Sequence, residues 1–134
     1  MIVKALRGEP LPVYGDGMNV RDWIHVEDHC AGVVAALFEG KPGKVYNFGG
    51  ANEIANLDLV KMILKKLGKP ESLISFVTDR LGHDRRYAID HSFASRALNW
   101  KPKKNFEHGI TETIKWYIDH ESWWQPLVER AGRY

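Results

Sequence analysis

The chain contains one cysteine, no long apolar run and almost no excess of either charge. Cys30 alone forms no intramolecular disulfide, and it stands among Ala31, Val33, Val34 and Leu37 in an apolar stretch; disulfide-stapled folds are excluded and a reduced, cytoplasmic setting is expected. No segment approaches the length of a membrane span, and the stretch from Met1 to Arg7 lacks the apolar core and small-residue cleavage site of a signal peptide. Nineteen basic against 17 acidic side chains leave a net charge of +2, so no global field directs the chain to nucleic acid or to an anionic membrane. Catalytic signatures are missing as well. There is no Gly-x-Ser-x-Gly elbow and no Walker phosphate loop, Cys30 has no electropositive surroundings, and no metal site is expected. Gly15-Asp16-Gly17 and Gly49-Gly50 lack the spacing and the strand-to-helix setting of a dinucleotide fingerprint.

What is present fits one soluble globular domain: 134 residues with 44% hydrophobic content. Met1 to Leu6 is apolar at helical spacing, has no cap before it and stops at Arg7-Gly8-Glu9-Pro10, so it reads as the last turns of a longer helix. Leu11 to Tyr14 and Val20 to Val26 read as extended, joined by a glycine turn; in the second, Arg21, Trp23 and His25 share one side. Glu27 to Glu39 reads as a helix with almost no polar face, which predicts burial on more than one side. Lys44 to Phe48 is expected as a strand leading into Gly49-Gly50. Asn56 is expected to cap a helix from Leu57 to Leu67, ended by Gly68. Ser75 to Val77 and Tyr87 to Asp90 are expected as extended, Ser92 as the cap of a helix through Leu98, and Phe106 to Ile118 as the last helix. This order gives a mixed α/β (α+β) chain.

The block from Asp79 to Asp90 concentrates the chemistry. It holds Arg80, Arg85 and Arg86, His83 and three aspartates around Gly82. Guanidinium groups pair with phosphate oxygens through two parallel hydrogen bonds, so the block suits a phosphorylated small molecule. A solvated loop, its arginines balanced by Asp79 and Asp84, explains the same composition. Tyr14 and Trp23 suit stacking on a base or simply packing as core aromatics.

Three segments resemble one family: Leu11 to His29 (LPVYGDGMNVRDWIHVEDH), Val45 to Gly50 (VYNFGG) and Arg80 to Asp90 (RLGHDRRYAID) are similar to dTDP-glucose 4,6-dehydratase, as is the pairing of Trp116-Tyr117 with Trp123-Trp124. Arg21-Asp22, Val45-Tyr46-Asn47 and Leu98-Asn99-Trp100-Lys101-Pro102 recur across the extended short-chain dehydrogenase/reductase superfamily, whereas Gly82 to Asp90 and Trp123-Trp124 are more particular to the dehydratase. The resemblance runs to about Pro126, so residues 1–126 are expected as one portion and 127–134 as a tail. It implies the C-terminal, substrate-binding part of an NAD-dependent epimerase/dehydratase fold with most of the Rossmann domain absent. It further implies that Pro12 and Tyr14 lie against the thymine base, that Arg21 reaches the diphosphate, and that Asn56, Arg80 and His83 assist there. In the complete enzyme NAD takes a hydride from C4 of the glucose, water leaves across C5 and C6, and the hydride returns to C6.

The glycine fingerprint, the Tyr-x-x-x-Lys pair and the acidic pair that this chemistry needs are not in the chain, and Leu81 stands where the family usually has proline. The expectation is a dTDP-sugar-binding portion that binds no NAD by itself and turns over nothing. A homo-oligomer, or pairing with a separate Rossmann-bearing chain, is expected to cover its apolar helix. A non-catalytic interaction or regulatory protein and a fragment of a sugar-nucleotide epimerase remain as alternatives.

Overall fold

The computed structural model describes residues 1–131. Its elements run α1 (Ile2–Leu6), β1 (Leu11–Tyr14), β2 (Val20–Asp22), α2 (Val26–Glu39), β3 (Glu53–Ala55), α3 (Asn56–Leu67), β4 (Ile74–Val77), α4 (Ser92–Leu98), α5 (Phe106–Asp119) and α6 (Glu121–Ala131), with one 3-10 turn at Glu71–Leu73. The expected α/β mixture is present, as two small sheets with helices packed around them. β1 pairs in parallel with β4, Leu11 opposite Ile74 and Tyr14 opposite Val77. β2 pairs antiparallel with β3, Val20 opposite Ala55 and Arg21 opposite Ile54.

The larger core joins Ala5, Leu11, Val13, Leu59, Val60, Ile63, Leu64 and Ile114, drawing together α1, β1, α3 and α5. Alternation along β1 sends Leu11 and Val13 into this core and leaves Pro12 half-buried and Tyr14 exposed on the other face. A smaller core of Ala94, Leu98 and Trp100 lies between α2 and α4, with Ile24, Ala35, Ala36, Tyr46 and Phe48 against it. Trp100 donates its indole N–H to the Asp28 carbonyl at 3.0 Å, and Asp28 accepts from the Lys104 backbone N–H at 2.9 Å.

Several sequence expectations change. Asn56 is not the cap of α3: Ala55 holds that position without a side-chain bond. The free N–H groups of Asn56 and Leu57 instead reach the carbonyls of Asn19 (3.0 Å) and Gly17 (2.9 Å), so the β1–β2 turn caps the helix. That turn needs glycine at position 17, where φ is +74° and a Cβ would stand 2.7 Å from Val13 and 2.8 Å from Leu57. Ser92 lies inside α4, which His91 precedes. β2 ends at Asp22, and Val26 already belongs to α2, whose N-cap His25 accepts from Glu27 N–H at 3.3 Å.

Lys44 to Phe48 forms no strand, because no neighbouring segment in the described residues offers it a ladder. Tyr87 to Asp90 likewise forms none; the block touches a sheet only through the bridge of Arg86 to Val20. β3 went unexpected, since Glu53-Ile54-Ala55 is too short to show a period. α6 also went unexpected, and Pro126 lies within it; residues 127–131 continue that helix and 132–134 of the expected tail lie outside the described residues. The expected multi-sided burial of α2 is not met either. One side packs on α4, while Val33, Val34, Leu37 and Phe38 are exposed, Phe38 by 79%.

Candidate functional site

The ends of β1 and β4 lie side by side, and this brings the chemistry together. Gly15 N–H donates to the Val77 carbonyl at 2.9 Å, and a Cβ on Gly15 would stand 2.9 Å from the Asp79 carboxylate. The turn after Tyr14 therefore rests against the start of the Asp79–Asp90 block. The block then crosses to β2, where Val20 N–H donates to the Arg85 carbonyl (2.8 Å) and Tyr87 N–H to the Val20 carbonyl (3.1 Å).

Two pairs of side chains and one side-chain bond to the backbone fasten it. Arg85 grips Asp16 through two bonds of 2.8 and 3.0 Å. Arg86 grips Glu53 in the same bidentate way, at 2.6 and 2.9 Å. Buried Asn19 donates to the Asp84 carbonyl at 3.1 Å. Two of the block's three arginines are thus paired with carboxylates within the chain, but with Asp16 and Glu53 outside the block rather than with the expected Asp79 and Asp84.

Arg80 has a different setting. Its Nη2 and that of Arg21 both lie 3.0 Å from Nε2 of His83. On the other side of the ring, Nδ1 is 2.6 Å from Asp79 Oδ1. A carboxylate only accepts and a guanidinium only donates, so the ring donates from Nδ1 and accepts at Nε2. The imidazole is nearly enclosed, 6% exposed, with the Tyr14 ring edge-on at 6.1 Å. Arg80 lies over the Tyr14 ring at 5.0 Å and Arg21 over the Tyr87 ring at 4.5 Å. Arg21 is further held by a 2.7 Å bond to the Val20 carbonyl.

Charge follows this geometry. The hydrogen bond from His83 holds the Asp79 carboxyl below its ordinary range. The Arg85 pair and the Met18 N–H hold Asp16 lower still, at about 2. The bond to Asp84 pushes the Tyr87 phenol up.

Of the six expected site residues, the structure gathers Tyr14, Arg21, Arg80 and His83 into one cluster. Pro12 lies two residues before Tyr14 on the same face of β1. Asn56 stands just past the Val20–Ala55 pair at the start of α3, and no side-chain hydrogen bond joins it to the cluster among the described residues. Asp79 and Tyr87 belong to the cluster but were not singled out by the sequence; only their place in the charged block gave a signal. His25 and His29 stand four residues apart, a metal-pair spacing the sequence reading passed over. His25 caps α2 and His29 packs edge-on to Phe48, and no group of three His, Cys, Asp or Glu side chains placed for a metal occurs among the described residues.

An NAD cradle does not fit the described residues. The glycines after β1 lead to β2, and Gly49-Gly50 lead to β3, so neither opens a helix toward a pyrophosphate. A cavity of about 410 Å³ between α1, α5 and Trp23 contains none of the six expected residues. Volume and chemistry part company here; the arginine cluster, not the cavity, marks the candidate site.

The family model described as GDP-mannose 4,6 dehydratase matches residues 1–113. The chain belongs to that family. It is 50% identical over 123 residues to a dTDP-glucose 4,6-dehydratase of Actinoplanes, an alignment covering 92% of this chain and 38% of the relative. Among solved structures, it is similar to dTDP-glucose 4,6-dehydratase of Bacillus anthracis in complex with NAD (TM-score 0.86, 49% identity, 94% of this chain and 40% of that one). It is also similar to that of Streptomyces venezuelae with NAD and TYD bound (TM-score 0.89, 40% identity, 94% and 39%). The chain thus has the NAD-dependent epimerase/dehydratase fold over about two fifths of its relatives' length. Among the described residues no helix is long and apolar enough to cross a membrane.

Proposed function

We propose that this chain is the dTDP-sugar-binding portion of a dTDP-glucose 4,6-dehydratase-like protein of deoxysugar synthesis. The convergence of Arg21 and Arg80 on one point beside the exposed Tyr14 ring carries the reading. Two guanidinium groups drawn to one point concentrate positive charge there, and a doubly charged diphosphate complements it. Tyr14, with Pro12 on the same face of β1, offers a flat apolar surface for a base next to that anion. The S. venezuelae relative, solved with NAD and TYD bound, supports a nucleotide ligand. NAD and the hydride chemistry belong to parts of the complete enzyme beyond this chain.

The exposed Val33, Val34, Leu37 and Phe38 of α2 make an apolar strip suited to a partner, either a second copy or a Rossmann-bearing portion.

Titration with dTDP-glucose tests the binding site. Removing either arginine, in Arg21→Ala or Arg80→Ala, takes away charge-assisted bonds of about 1.5–3 kcal/mol, so affinity falls roughly 10- to 100-fold in each. Unchanged affinity in both variants sinks the reading. Equal affinity for UDP-glucose and dTDP-glucose would instead favour the epimerase alternative.

A further inference from the structure

His83 carries a role that the binding site alone does not require. In the free chain its Nε2 lone pair takes donors from both Arg21 and Arg80, and its Nδ1–H is committed to Asp79. The ring is neutral in this arrangement. A second proton has nowhere to go, because Nε2 would have to shed both guanidinium donors and turn an N–H toward two cations.

An anion reverses each of those conditions. A diphosphate between Arg21 and Arg80 draws their N–H donors to its own oxygens, which frees the Nε2 lone pair. The ring cannot swing aside to leave it empty: the imidazole is 6% exposed, lies edge-on to Tyr14 and is tied to Asp79 through Nδ1. Nε2 is then a buried acceptor facing anionic oxygens that are themselves acceptors, and such a lone pair costs free energy until a proton fills it.

Resting on the nucleotide-sugar reading, we infer that diphosphate binding at Arg21 and Arg80 is coupled to uptake of one proton by His83, which changes from acceptor for two arginines to donor toward the phosphate. The proton comes from solvent and forms one new N–H bond at Nε2; Nδ1–H stays on Asp79, and no other bond changes. Asp79 is the positioning residue that fixes the ring's tautomer.

The charges around the ring are consistent with this exchange. Arg21 faces it from β2, and Arg80 and Asp79 face it from the block. Tyr14 contributes an uncharged ring from β1. Tyr87, beneath Arg21, is bonded to Asp84, and Arg85 is tied up by Asp16. Two arginines against the two charges of a diphosphate leave Asp79 as the counter-ion for an imidazolium.

dTDP-glucose is the suitable probe, because its diphosphate is esterified at both ends and keeps both charges across neutral pH. Calorimetric titration at one pH, in two buffers of different ionisation enthalpy, reads the protons taken up per ligand bound. Affinity measured from pH 8 to pH 6 reads the same linkage. Uptake approaching one proton is expected, with affinity rising by up to about tenfold per unit of falling pH. His83→Gln keeps an acceptor near the Nε2 position but takes no proton. In that variant uptake falls to zero and the pH dependence of whatever affinity remains flattens. Circular dichroism confirms that the variant is folded. Parent binding with equal heats in both buffers and a flat affinity profile overturns the proton coupling and leaves the nucleotide-sugar reading standing. Uptake that persists in His83→Gln also overturns it, and absence of binding at any pH overturns both.

Discussion

The two cores of this chain differ in how completely each is closed. The one beneath the candidate site holds eight buried residues from four elements, among them Leu11 and Leu64 with no exposed surface. The one between α2 and α4 holds three, and its outer helix shows Val33, Val34, Leu37 and Phe38 to solvent. In that half Lys44 to Phe48 has a strand-like sequence and no ladder among the described residues. The half beneath the candidate site is thus closed by its own residues, whereas the α2 half leaves apolar side chains exposed. Arg21, Tyr14 and the block that holds Arg80 and His83 are anchored on β1, β2 and β4, the strands of the closed half. Preorganisation of the anion site follows from that placement.

Truncating one apolar side chain in each half is the harshest trial of the contrast. Leu64→Ala removes a side chain with no exposed surface and leaves a cavity, which costs about 2–5 kcal/mol of stability. Phe38→Ala removes a larger side chain that is 79% exposed, and the expected change is within about 0.5 kcal/mol. Urea denaturation of the two variants measures both. Comparable losses would mean that α2 is covered in solution, by a second copy for instance, and sedimentation at several protein concentrations would then show association that Phe38→Ala weakens.

A smaller effect separates the halves without mutation. Amides in the middle of α3, around Val60 to Leu64, are expected to exchange about tenfold or more slowly than those of Val33 to Leu37 in α2, since opening α2 exposes less apolar surface. Hydrogen exchange followed by NMR gives the order directly. Protection as strong in α2 as in α3 would erase the distinction between a closed and an open half.

The closed half was also the more legible one in the sequence. α3 was read with its end at Gly68, and Leu11 to Tyr14 as extended, and both form because their apolar residues pack against partners in the same chain. Lys44 to Phe48 carries an equally good strand pattern and makes none. Periodicity reports what a segment is suited to, and a ladder needs a neighbour. β3 and the true cap of α3 were hidden for the opposite reason: both depend on long-range backbone bonds, from Arg21 to Ile54 and from Asn19 to Asn56, that leave no local mark. At the site, composition identified the block but not the division of labour within it. Nothing in the spelling Arg80, Arg85, Arg86 tells that the last two are bound to Asp16 and Glu53 while the first meets His83.

That division gives the finest test, since the fastenings of the site are ionic and respond to acid. Asp16 is held at about 2, against an ordinary 3.8, chiefly by its two bonds to Arg85. A carboxylate with a depressed folded-state pKa contributes stability that is fully present above the unfolded value and is lost as pH falls through the folded one. The Arg85–Asp16 pair should therefore stay closed from neutral pH down to about 4 and release between there and about 2, freeing the loop around Gly82 from the β1–β2 turn. Carboxyl carbon NMR follows the midpoint of Asp16. In Arg85→Ala the midpoint should return toward 3.8, less whatever the Met18 N–H still holds. An unchanged midpoint in that variant would show that Arg85 does not grip Asp16 in solution, and that it is free, beside Arg80, to take part in holding the anion.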